Sequence, residues 1–330
     1  MSEPTVTVLM TVYNAGRFLE PSIRSILRQS FRDFEFLIVD DGSSDGSAET
    51  AEGWAERDSR IRVVRNSENR GQTHCLNQGL GLARGQWIAR HDADDLSHPA
   101  RLTAQFRFTT SQPDIVLIGT NGRIIDEQDR LVGLLDAPLT QPAIVWTAPF
   151  LNPFMHSSVM FRTRVIRDEF GGYNASYRIA QDYELWTRVI SRYYGANLPQ
   201  RLIGYRHLGT SLSKVGREEA FAEATAISAR EAERAFGRAL NDREARLVAA
   251  FREGLDPSHR KAFWELYNNF LAGRDAHMGD LSRTVALHHL KAAGALSSKS
   301  RYLALAEIMM ALRTDSSTTL GWLATRYFNA

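Results

Sequence analysis

Val6-Thr-Val-Leu-Met-Thr-Val12 is a run of apolar and β-branched residues that ends at Tyr13-Asn14-Ala15-Gly16. Such a run followed by a turn signal predicts a buried β-strand. From Phe18 to Leu27 the apolar residues recur at helical spacing, which predicts a helix directly after the turn.

The same strand-then-helix pattern repeats along the next 80 residues. The predicted elements are a strand at Phe34–Val39, a helix from about Ala48 to Arg57, a strand at Ile61–Val64, a helix from about Thr73 to Ala83 and a strand beginning at Trp87. Strands that alternate with helices favour a mostly parallel sheet covered on both faces. The sequence therefore predicts an α/β fold.

Polar residues follow three of these predicted strands, at Tyr13-Asn14, Asp40-Asp41 and Asp92–Asp94. Ligands of open α/β sheets bind at the carboxyl ends of the strands. The three clusters are therefore expected to meet at one edge of the sheet. Each also has a purely structural interpretation, since Asp40 and Asp41 could form an Asx-turn and Tyr13 could be a half-buried aromatic.

The segment His91-Asp92-Ala93-Asp94-Asp95 brings three carboxylates together after an apolar run. Oxygen ligands without a nearby Cys suit a hard cation such as Mg²⁺ or Mn²⁺, and Mg²⁺ usually completes its shell with substrate phosphates. Taken alone, the segment is equally compatible with a solvated acidic turn or with an Asp cap on the helix that begins near His98.

Composition excludes several classes of protein. The 330 residues carry a formal charge of +2, so no global field recruits nucleic acid. The single Cys75 excludes an internal disulfide and suits a reducing cytosol. Met1–Pro4 does not resemble a signal peptide, and no segment approaches the roughly 18 uncharged residues of a membrane span. We therefore expect a cytoplasmic protein, soluble or peripheral on the inner face of the membrane.

After about Val215 the sequence becomes rich in Ala, Arg and Glu with helical periodicity, as in Arg217–Phe221. Phe263–Leu271 carries the apolar stripe of an amphipathic helix, and segments near Leu287–Leu290 and Tyr302–Leu312 repeat the habit. We predict a helical region over residues 216–330. Its stripes could pack on each other and on residues 1–215, form a homo-oligomer, or rest on a membrane.

Several strings in the first 215 residues together resemble glycosyltransferase family 2. They are Thr11-Val-Tyr-Asn14, Ser25–Ser30, Val39–Asp45, Asn77–Gly79, Ala83–Gly85, His91–Asp95 with Arg101 and Gln105, His156–Arg162 and Gln181–Arg188. Each string is weak alone, but their order and number make the resemblance specific. It covers roughly residues 4 to 215 and implies a GT-A catalytic domain over residues 1–215.

The resemblance implies a role for each matching residue. Tyr13 would stack on the donor base and Asp41 would accept a hydrogen bond from it, which suits an aromatic face and a ring N–H. Asp92 would lie near the ribose, and Asp94 would ligate the Mn²⁺ or Mg²⁺ that bridges the two phosphates. The full set expected at the nucleotide sugar is Thr11, Tyr13, Asn14, Asp41, Asp92, Ala93 and Arg206.

The acceptor half of the implied reaction needs a base, because the family inverts the anomeric carbon in one in-line step. The family supplies this base from a Glu-Asp pair at a helix start, and this chain has Gln181-Asp182 there. Asp182 is the predicted base, while Gln181 and His156 are expected on the acceptor side. Asp182 and Glu184 could instead only favour a helix N-terminus. His207 lies one place before the family's histidine, so Arg206 is the better partner for diphosphate oxygens.

The implied enzyme moves a sugar from a nucleotide diphosphate sugar, UDP or dTDP rather than GDP, to a hydroxyl of a glycan or lipid-linked glycan in cell-surface polysaccharide biosynthesis. Two alternatives remain open at this point. A sugar-nucleotide pyrophosphorylase shares the nucleotide fold, although it usually has a Gly-rich loop where this chain has Tyr13–Arg17. A non-catalytic nucleotide-sugar-binding assembly protein is favoured if Gln181 marks lost activity.

Overall fold

A computed structural model of the chain describes residues 3–208 and 216–253. Within them the strands are β1 Val6–Val12, β2 Phe34–Asp40, β3 Ile61–Arg65, β4 Trp87–Asp92, β5 Leu96–Ser97, β6 Ile115–Ile125, β7 Leu131–Leu135, β8 Met160–Arg162 and β9 Tyr194–Arg206. The α-helices are α1 Leu19–Leu27, α2 Ser47–Ala55, α3 Gln72–Leu82, α4 Arg101–Ser111, α5 Gln141–Thr147, α6 Gln181–Ile190, α7 Arg217–Phe236 and α8 Asp242–Glu253.

The strands form one sheet in the order β3-β2-β1-β4-β8-β6-β9-β5, with β7 paired to the C-terminal part of β6. Strands β3, β2, β1 and β4 run parallel, as the sequence predicts. Downstream strands add antiparallel pairs, so the whole sheet is mixed. The predicted α/β class is confirmed, and each predicted element up to β4 is found within one or two residues of its expected bounds.

The register of the parallel strands determines which side chains meet at the sheet edge. Val12 of β1 lies opposite Asp40 of β2, and Thr11 lies opposite Asp92 of β4. The residues that follow Val12, Asp40 and Asp92 therefore leave the sheet at the same level. This alignment confirms the expectation that the three polar clusters share one edge.

A continuous apolar core fixes these strands in place. Every residue of β1 is buried, which is the pattern of a strand covered on both faces. One face packs against Leu19 and Ile23 of α1. On the other face Gly79 lets α3 approach closely, since a Cβ there would lie 2.3 Å from a methyl carbon of Leu9. The strand end that carries Tyr13 is thus held from both sides.

The chain divides into two compact units, Met1–Ala137 with Phe154–Ala220, and Pro138–Pro153 with Phe221–Ala330. The first contains the whole sheet. In the described part of the second, α5, most of α7 and α8 are helical, and Glu231 is buried between Arg230 and Arg234 at 3.1 Å from each. The predicted helices at Phe263–Leu271, Leu287–Leu290 and Tyr302–Leu312 lie outside the described residues, and the boundary near residue 215 stays a prediction.

Across residues 3–208 and 216–253, no helix combines the length and the apolar character that crossing a bilayer requires.

Candidate functional site

The turn after β1 leaves one large aromatic side chain in the open. Tyr13 is 52% exposed, although the strand that carries it is buried. Asn14 adopts a left-handed backbone with φ +49°, a conformation that Asn tolerates better than most residues. Its side-chain oxygen accepts the Ser44 N–H at 2.9 Å, and its own N–H donates to the Ser43 hydroxyl at 3.0 Å. Asn14 therefore ties the turn after β1 to the turn after β2.

Asp41, directly after β2, is buried and surrounded by donors from the segment before α3. Its carboxylate accepts the backbone N–H groups of Arg70 at 3.0 Å and Gly71 at 2.8 Å, and the Asn66 amide at 3.3 Å. Burial alone would raise the pKa of Asp41, but these hydrogen bonds outweigh it and lower the pKa below its ordinary value. Asp41 is thus held as a carboxylate by the protein itself.

Gly42 makes this arrangement possible. Its φ is +71°, and a Cβ there would lie 2.7 Å from the carbonyl carbon of Glu68. Only glycine combines this backbone conformation with so close an approach. The Asp41-Gly42 pair therefore brings the segment before α3 onto the carboxylate.

Asp92 at the end of β4 is paired with a buried guanidinium. Arg90 is fully buried, and its Nη2 lies 2.5 Å from Asp92 Oδ1 and 3.4 Å from the Thr11 hydroxyl. Although burial opposes it, the positive charge of Arg90 lowers the pKa of Asp92. The Asp92 N–H donates to Ser157 Oγ at 3.1 Å, which links β4 to the His156–Ser158 turn. Asp92 is therefore ionised and fixed in direction.

The next two carboxylates lack such compensation. Burial and the negative charge of Asp92 raise the pKa of Asp94 to about 6. Asp95 is fully buried, and burial together with the charges of Asp92 and Asp94 raises its pKa well above the ordinary range. Its Oδ1 accepts the Arg206 N–H at 2.8 Å, whereas its Oδ2 has no hydrogen-bond partner among the described residues. Ala93, which lies between Asp92 and Asp94 in the chain, is half-buried against the core.

The chemistry of this loop suits a cation with few protein ligands. Within residues 3–208 and 216–253, no three His, Cys, Asp or Glu side chains converge as a complete metal site. Closely spaced carboxylates that raise each other's pKa lower their energy when a cation shares their charge. A divalent ion held by one carboxylate, with substrate phosphates completing its shell, fits these residues.

Behind the acidic loop lies a buried polar network. Arg101 of α4 is fully buried and donates to the Arg90 carbonyl at 2.6 Å and to the Gln105 side chain at 3.2 Å. Gln105 in turn donates to the carbonyls of Ile118 at 3.0 Å and Ser158 at 2.8 Å. The resemblance includes Arg101 and Gln105 without a role, and the structure shows that they hold the end of β4 against β6.

Arg206 at the end of β9 is buried beside the acidic loop. Its Nε donates to the Asp94 carbonyl at 2.8 Å, its Nη1 donates to the Asp126 carbonyl at 2.8 Å, and its Nη2 lies 2.6 Å from Asp129 Oδ1. Its guanidinium also lies 4.7 Å from the centre of the Phe18 ring. His207 is exposed, and its backbone N–H donates to the Ile125 carbonyl at 2.9 Å.

Gln181 and Asp182 begin α6, as predicted. The apolar residues expected behind Asp182 are all buried, namely Tyr183, Leu185, Trp186 and Val189. Asp182 is half-buried and its Oδ1 accepts the Tyr183 N–H at 2.7 Å. Gln181 is buried and donates to the Gln72 side chain at 2.9 Å, next to the Gly71 that binds Asp41. The start of α6 is therefore rigid and coupled to the Asp41 pocket.

Glu184 differs from Asp182 in its surroundings. Its side chain is 3% exposed and pairs with Arg188 Nε at 2.9 Å. Arg188 also donates to the carbonyls of Phe170 at 2.9 Å and Gly172 at 2.8 Å. Glu184 thus anchors the segment before α6, a role for which its sequence position gave no signal.

His156 packs among aromatic side chains in the neighbourhood of Asp92. Its Nε2 lies 3.2 Å from the Tyr173 hydroxyl, and its ring centre lies 6.1 Å from that of Trp186. Burial, helped by the charge of Arg90, lowers the pKa of His156 to about 3, so the ring is neutral. A neutral, packed imidazole can position a neighbouring group, but it offers no positive charge to a substrate.

Two tyrosines are influenced by the charges of both Asp182 and the acidic loop. Burial raises the pKa of Tyr205 to about 12, and the charges of Asp95, Asp92, Asp94 and Asp182 add to the rise. Burial also raises the pKa of Tyr173, with contributions from Asp182 and Asp92. Tyr173 and Tyr205 therefore lie within electrostatic range of both Asp182 and the acidic loop. Neither tyrosine was assigned a role from the sequence.

Arg90 is the other site residue that sequence reasoning missed. The available signal was a charged residue directly after the apolar run Trp87–Ala89 and one position before His91. A charge in a strand that is buried on both faces needs a partner. The acidic loop directly after it was the evident candidate.

Comparison with known proteins shows the family of the chain. Residues 7–188 match the model of Glycosyl transferase family 2. The O-antigen biosynthesis glycosyltransferase WbnJ of Escherichia coli is 31% identical over 217 residues, covering 63% of this chain and 82% of WbnJ. An uncharacterised glycosyltransferase of Haemophilus influenzae is 30% identical over 224 residues, covering 66% of this chain and 69% of the relative.

Two solved structures share the fold at low sequence identity. Staphylococcus aureus TarS 1–349 in complex with UDP-GlcNAc superposes with a TM-score of 0.58 at 15% identity, covering 98% of this chain and 93% of TarS. The mannosyltransferase PcManGT of Pyrobaculum calidifontis, in complex with GDP-Man and Mn²⁺, gives 0.54 at 19% identity over 100% and 88% of the chains. The chain belongs to glycosyltransferase family 2 and is a glycosyltransferase with a GT-A-like fold.

Proposed function

We propose that this glycosyltransferase moves a sugar, with inversion at the anomeric carbon, from a nucleotide diphosphate sugar to a hydroxyl of a glycan or lipid-linked glycan. The observation that carries the proposal is the arrangement at one sheet edge. Three adjacent parallel strands each end at one of its parts. The exposed Tyr13 follows β1, Asp41, whose charge the protein compensates, follows β2, and the uncompensated acidic loop follows β4. These are the groups that a base, a ribose and a cation-bound diphosphate require.

The base of the donor is proposed to stack on Tyr13 and to hydrogen-bond to Asp41. Stacking needs an exposed ring, and the 52% exposure of Tyr13 supplies it. An ionised Asp41 is an acceptor that matches the ring N–H of uracil or thymine, the bases of the proposed UDP or dTDP donor. Thr11, Asn14, Asp92 and Ala93 complete the proposed contacts, with Asp92 toward the ribose.

Asp94 is proposed to hold Mn²⁺ or Mg²⁺ against the diphosphate, with Arg206 beside it. When bound, such an ion acts as a Lewis acid that stabilises charge on the leaving diphosphate. The raised pKa of Asp94 supports the assignment, because the carboxylate lies in an excess of negative charge. PcManGT, of similar fold, is complexed with Mn²⁺.

Asp182 is proposed to take the proton from the acceptor hydroxyl as the new glycosidic bond forms. Its position at the start of a helix whose apolar side is fully buried supports this role, since a rigid backing fixes the direction of the carboxylate. The charges of Asp182 and Asp92 both raise the pKa of Tyr173 and of Tyr205, which supports a position of both carboxylates near the same two phenols. Gln181 and His156 are proposed to border the acceptor.

The acceptor is proposed to be a growing cell-surface polysaccharide, in the cytoplasm or at the inner face of the membrane. The name of WbnJ places that relative in O-antigen biosynthesis, which supports this class of acceptor.

A panel of nucleotide sugars tests the donor side. Thermal unfolding is measured with UDP-, dTDP- and GDP-sugars, each with and without Mn²⁺. A donor at 100 times its dissociation constant stabilises by about 2.7 kcal/mol, which is readily measured. We expect UDP- or dTDP-sugars to stabilise, and Mn²⁺ to increase the effect. Stabilisation without any turnover on acceptors would instead favour a non-catalytic binding protein.

Asp182→Asn tests the base. General-base assistance contributes about 10²- to 10⁴-fold, so acceptor-dependent turnover should fall by that range while donor affinity changes little. Glu184→Gln is a poor control because Glu184 is buried and paired. Asp168→Asn is better, since Asp168 is exposed and pairs with its neighbour Arg167. An Asp182→Asn enzyme within a few-fold of wild type would place the base elsewhere.

A further inference from the structure

The turn between β6 and β7 is built as a closed unit. Asp126 Oδ1 accepts the backbone N–H groups of Gln128 and Arg130, both at 2.9 Å, and the Asp126 N–H donates to the Arg130 carbonyl at 3.0 Å. Asp129 takes the left-handed backbone with φ +63°. The conformation of the turn is therefore set by Asp126, and the Asp129 carboxylate is left to act outside it.

Arg206 connects this turn to the acidic loop. Two of its nitrogens reach the turn, at the Asp126 carbonyl and the Asp129 carboxylate, while its Nε and its backbone N–H reach the Asp94 carbonyl and Asp95 Oδ1. Packing on the Phe18 ring fixes the guanidinium plane. One side chain thus bridges two loops that are about 30 residues apart in the chain.

The two partners of this ion pair differ in exposure. The Arg206 side chain is 2% exposed, whereas the Asp129 side chain is 58% exposed. A buried guanidinium needs an anion. Asp129 satisfies this need from the solvent side, so Arg206 meets Asp94 through its carbonyl and not through its carboxylate.

We propose that Asp129 is a positioning residue for cation binding, because it holds the guanidinium of Arg206 away from the Asp94 carboxylate. Without the Asp129 charge, Arg206 would turn toward Asp94 and compete with the metal ion for it. The inference rests on the proposed role of Asp94 as the cation ligand, and it adds a residue outside the acidic loop to the determinants of metal affinity.

Asp129→Asn is a clean test, since Asn has the same shape and tolerates the left-handed backbone. Glu127→Gln in the same turn is the matched control, because the Glu127–Arg17 pair is exposed on both sides and such pairs contribute little. Binding of UDP is measured by calorimetry over a range of Mn²⁺ concentrations and in EDTA, with thermal unfolding of each variant in parallel.

In Asp129→Asn we expect the Mn²⁺ concentration for half-maximal enhancement of UDP binding to rise about tenfold, the effect of losing one charge-assisted hydrogen bond. UDP binding in EDTA should stay at the wild-type value, since Tyr13 and Asp41 are untouched, and Glu127→Gln should match wild type throughout. A folded Asp129→Asn protein with an unchanged Mn²⁺ requirement would overturn the inference, as would an equal loss with and without Mn²⁺. If wild-type UDP binding ignores Mn²⁺, the proposed role of Asp94 itself fails.

Discussion

Asp41 and the loop Asp92–Asp95 follow neighbouring regions of the same sheet edge, yet their electrostatics are opposite. Asp41 accepts three hydrogen bonds from the protein, which lower its pKa despite burial. Burial raises the pKa of Asp94 and of Asp95, the charge of Asp92 adds to the rise in both, and the charge of Asp94 adds to the rise in Asp95. The protein's own hydrogen bonds stabilise the charge of Asp41, whereas the acidic loop carries negative charge that the protein leaves uncompensated.

The difference separates two ways of binding a ligand. A carboxylate held by backbone N–H groups is a rigid acceptor whose position needs no help from the ligand. Carboxylates that repel each other are poised to gain from a cation, and their stability depends on what binds. Arg90 accounts for the difference between Asp92 and Asp94. Its ion pair compensates the charge of Asp92, whereas the pKa of Asp94 stays raised.

Among the variants that test the contrast between Asp41 and the acidic loop, Asp94→Asn is expected to give the largest effect. If Asp94 holds the cation that stabilises charge on the leaving diphosphate, turnover should fall by about 10²- to 10³-fold, the size of losing one strong electrostatic contact to developing charge. Mn²⁺ should then no longer strengthen donor binding. Steady-state kinetics and calorimetry with and without Mn²⁺ measure the two effects.

Asp41→Asn provides the contrast in the same assays. It should weaken donor binding equally in the presence and absence of Mn²⁺, because its place is at the base. If both variants lost metal dependence alike, the division between the two regions would be wrong.

Thermal stability without ligand should separate the two variants again. Asp41→Asn loses hydrogen bonds to an ionised, buried acceptor, which costs about 2 kcal/mol, or roughly 4–8 °C in melting temperature for a domain of this size. Asp94→Asn removes a buried charge that Asp92 repels, so the metal-free protein should melt at or above the wild-type temperature. Scanning calorimetry in EDTA checks both signs. A clear loss of stability in Asp94→Asn would mean that the loop is already compensated.

The parallel half of the sheet was predictable from sequence because its strands are buried on both faces and read as continuous apolar runs. Val6–Val12 and Phe34–Val39 are of this kind. The pairing of the strands after β4 was not predicted. β8 is three residues long, and β9 contains Pro199, Gln200 and Arg201, so neither has a clear periodicity. Their pairing depends on contacts with β4 and β6 that are distant in sequence.

The site was predictable where a residue's chemistry is local. Tyr13, Asp41 and Asp92–Asp94 follow strand ends, and the register of the sheet brings them together. Contacts across long sequence separations could not be read from the pattern. Arg206 with Asp129, Gln181 with Gln72, and Asp41 with the Arg70–Gly71 backbone are of this type.

The pH dependence of stability gives the smallest effect and the most direct test of how Asp41 is held. Its pKa in the folded protein lies below the ordinary 3.8, while in the unfolded chain the carboxyl titrates near that value. Above 3.8 both states are ionised, and the hydrogen bonds from Arg70 and Gly71 contribute in full. As the pH falls through 3.8 toward the folded pKa, the unfolded chain takes up its proton first, and the contribution is lost.

The amide that Asp41→Asn introduces does not titrate between pH 3 and 7, so the difference in unfolding free energy between wild type and this variant isolates the titration of Asp41. We expect the difference to be constant from pH 7 to about pH 5 and to shrink at lower pH, by about 1.4 kcal/mol for each unit of depression in the pKa. Urea unfolding of both proteins at pH 7, 5, 4 and 3 measures it. Other carboxylates with lowered pKa, such as Glu35, titrate equally in both proteins and cancel. A difference that stays constant down to pH 3 would show that the donors around Asp41 do not favour its ionised form, and the contrast with the acidic loop would then rest on Asp94 and Asp95 alone.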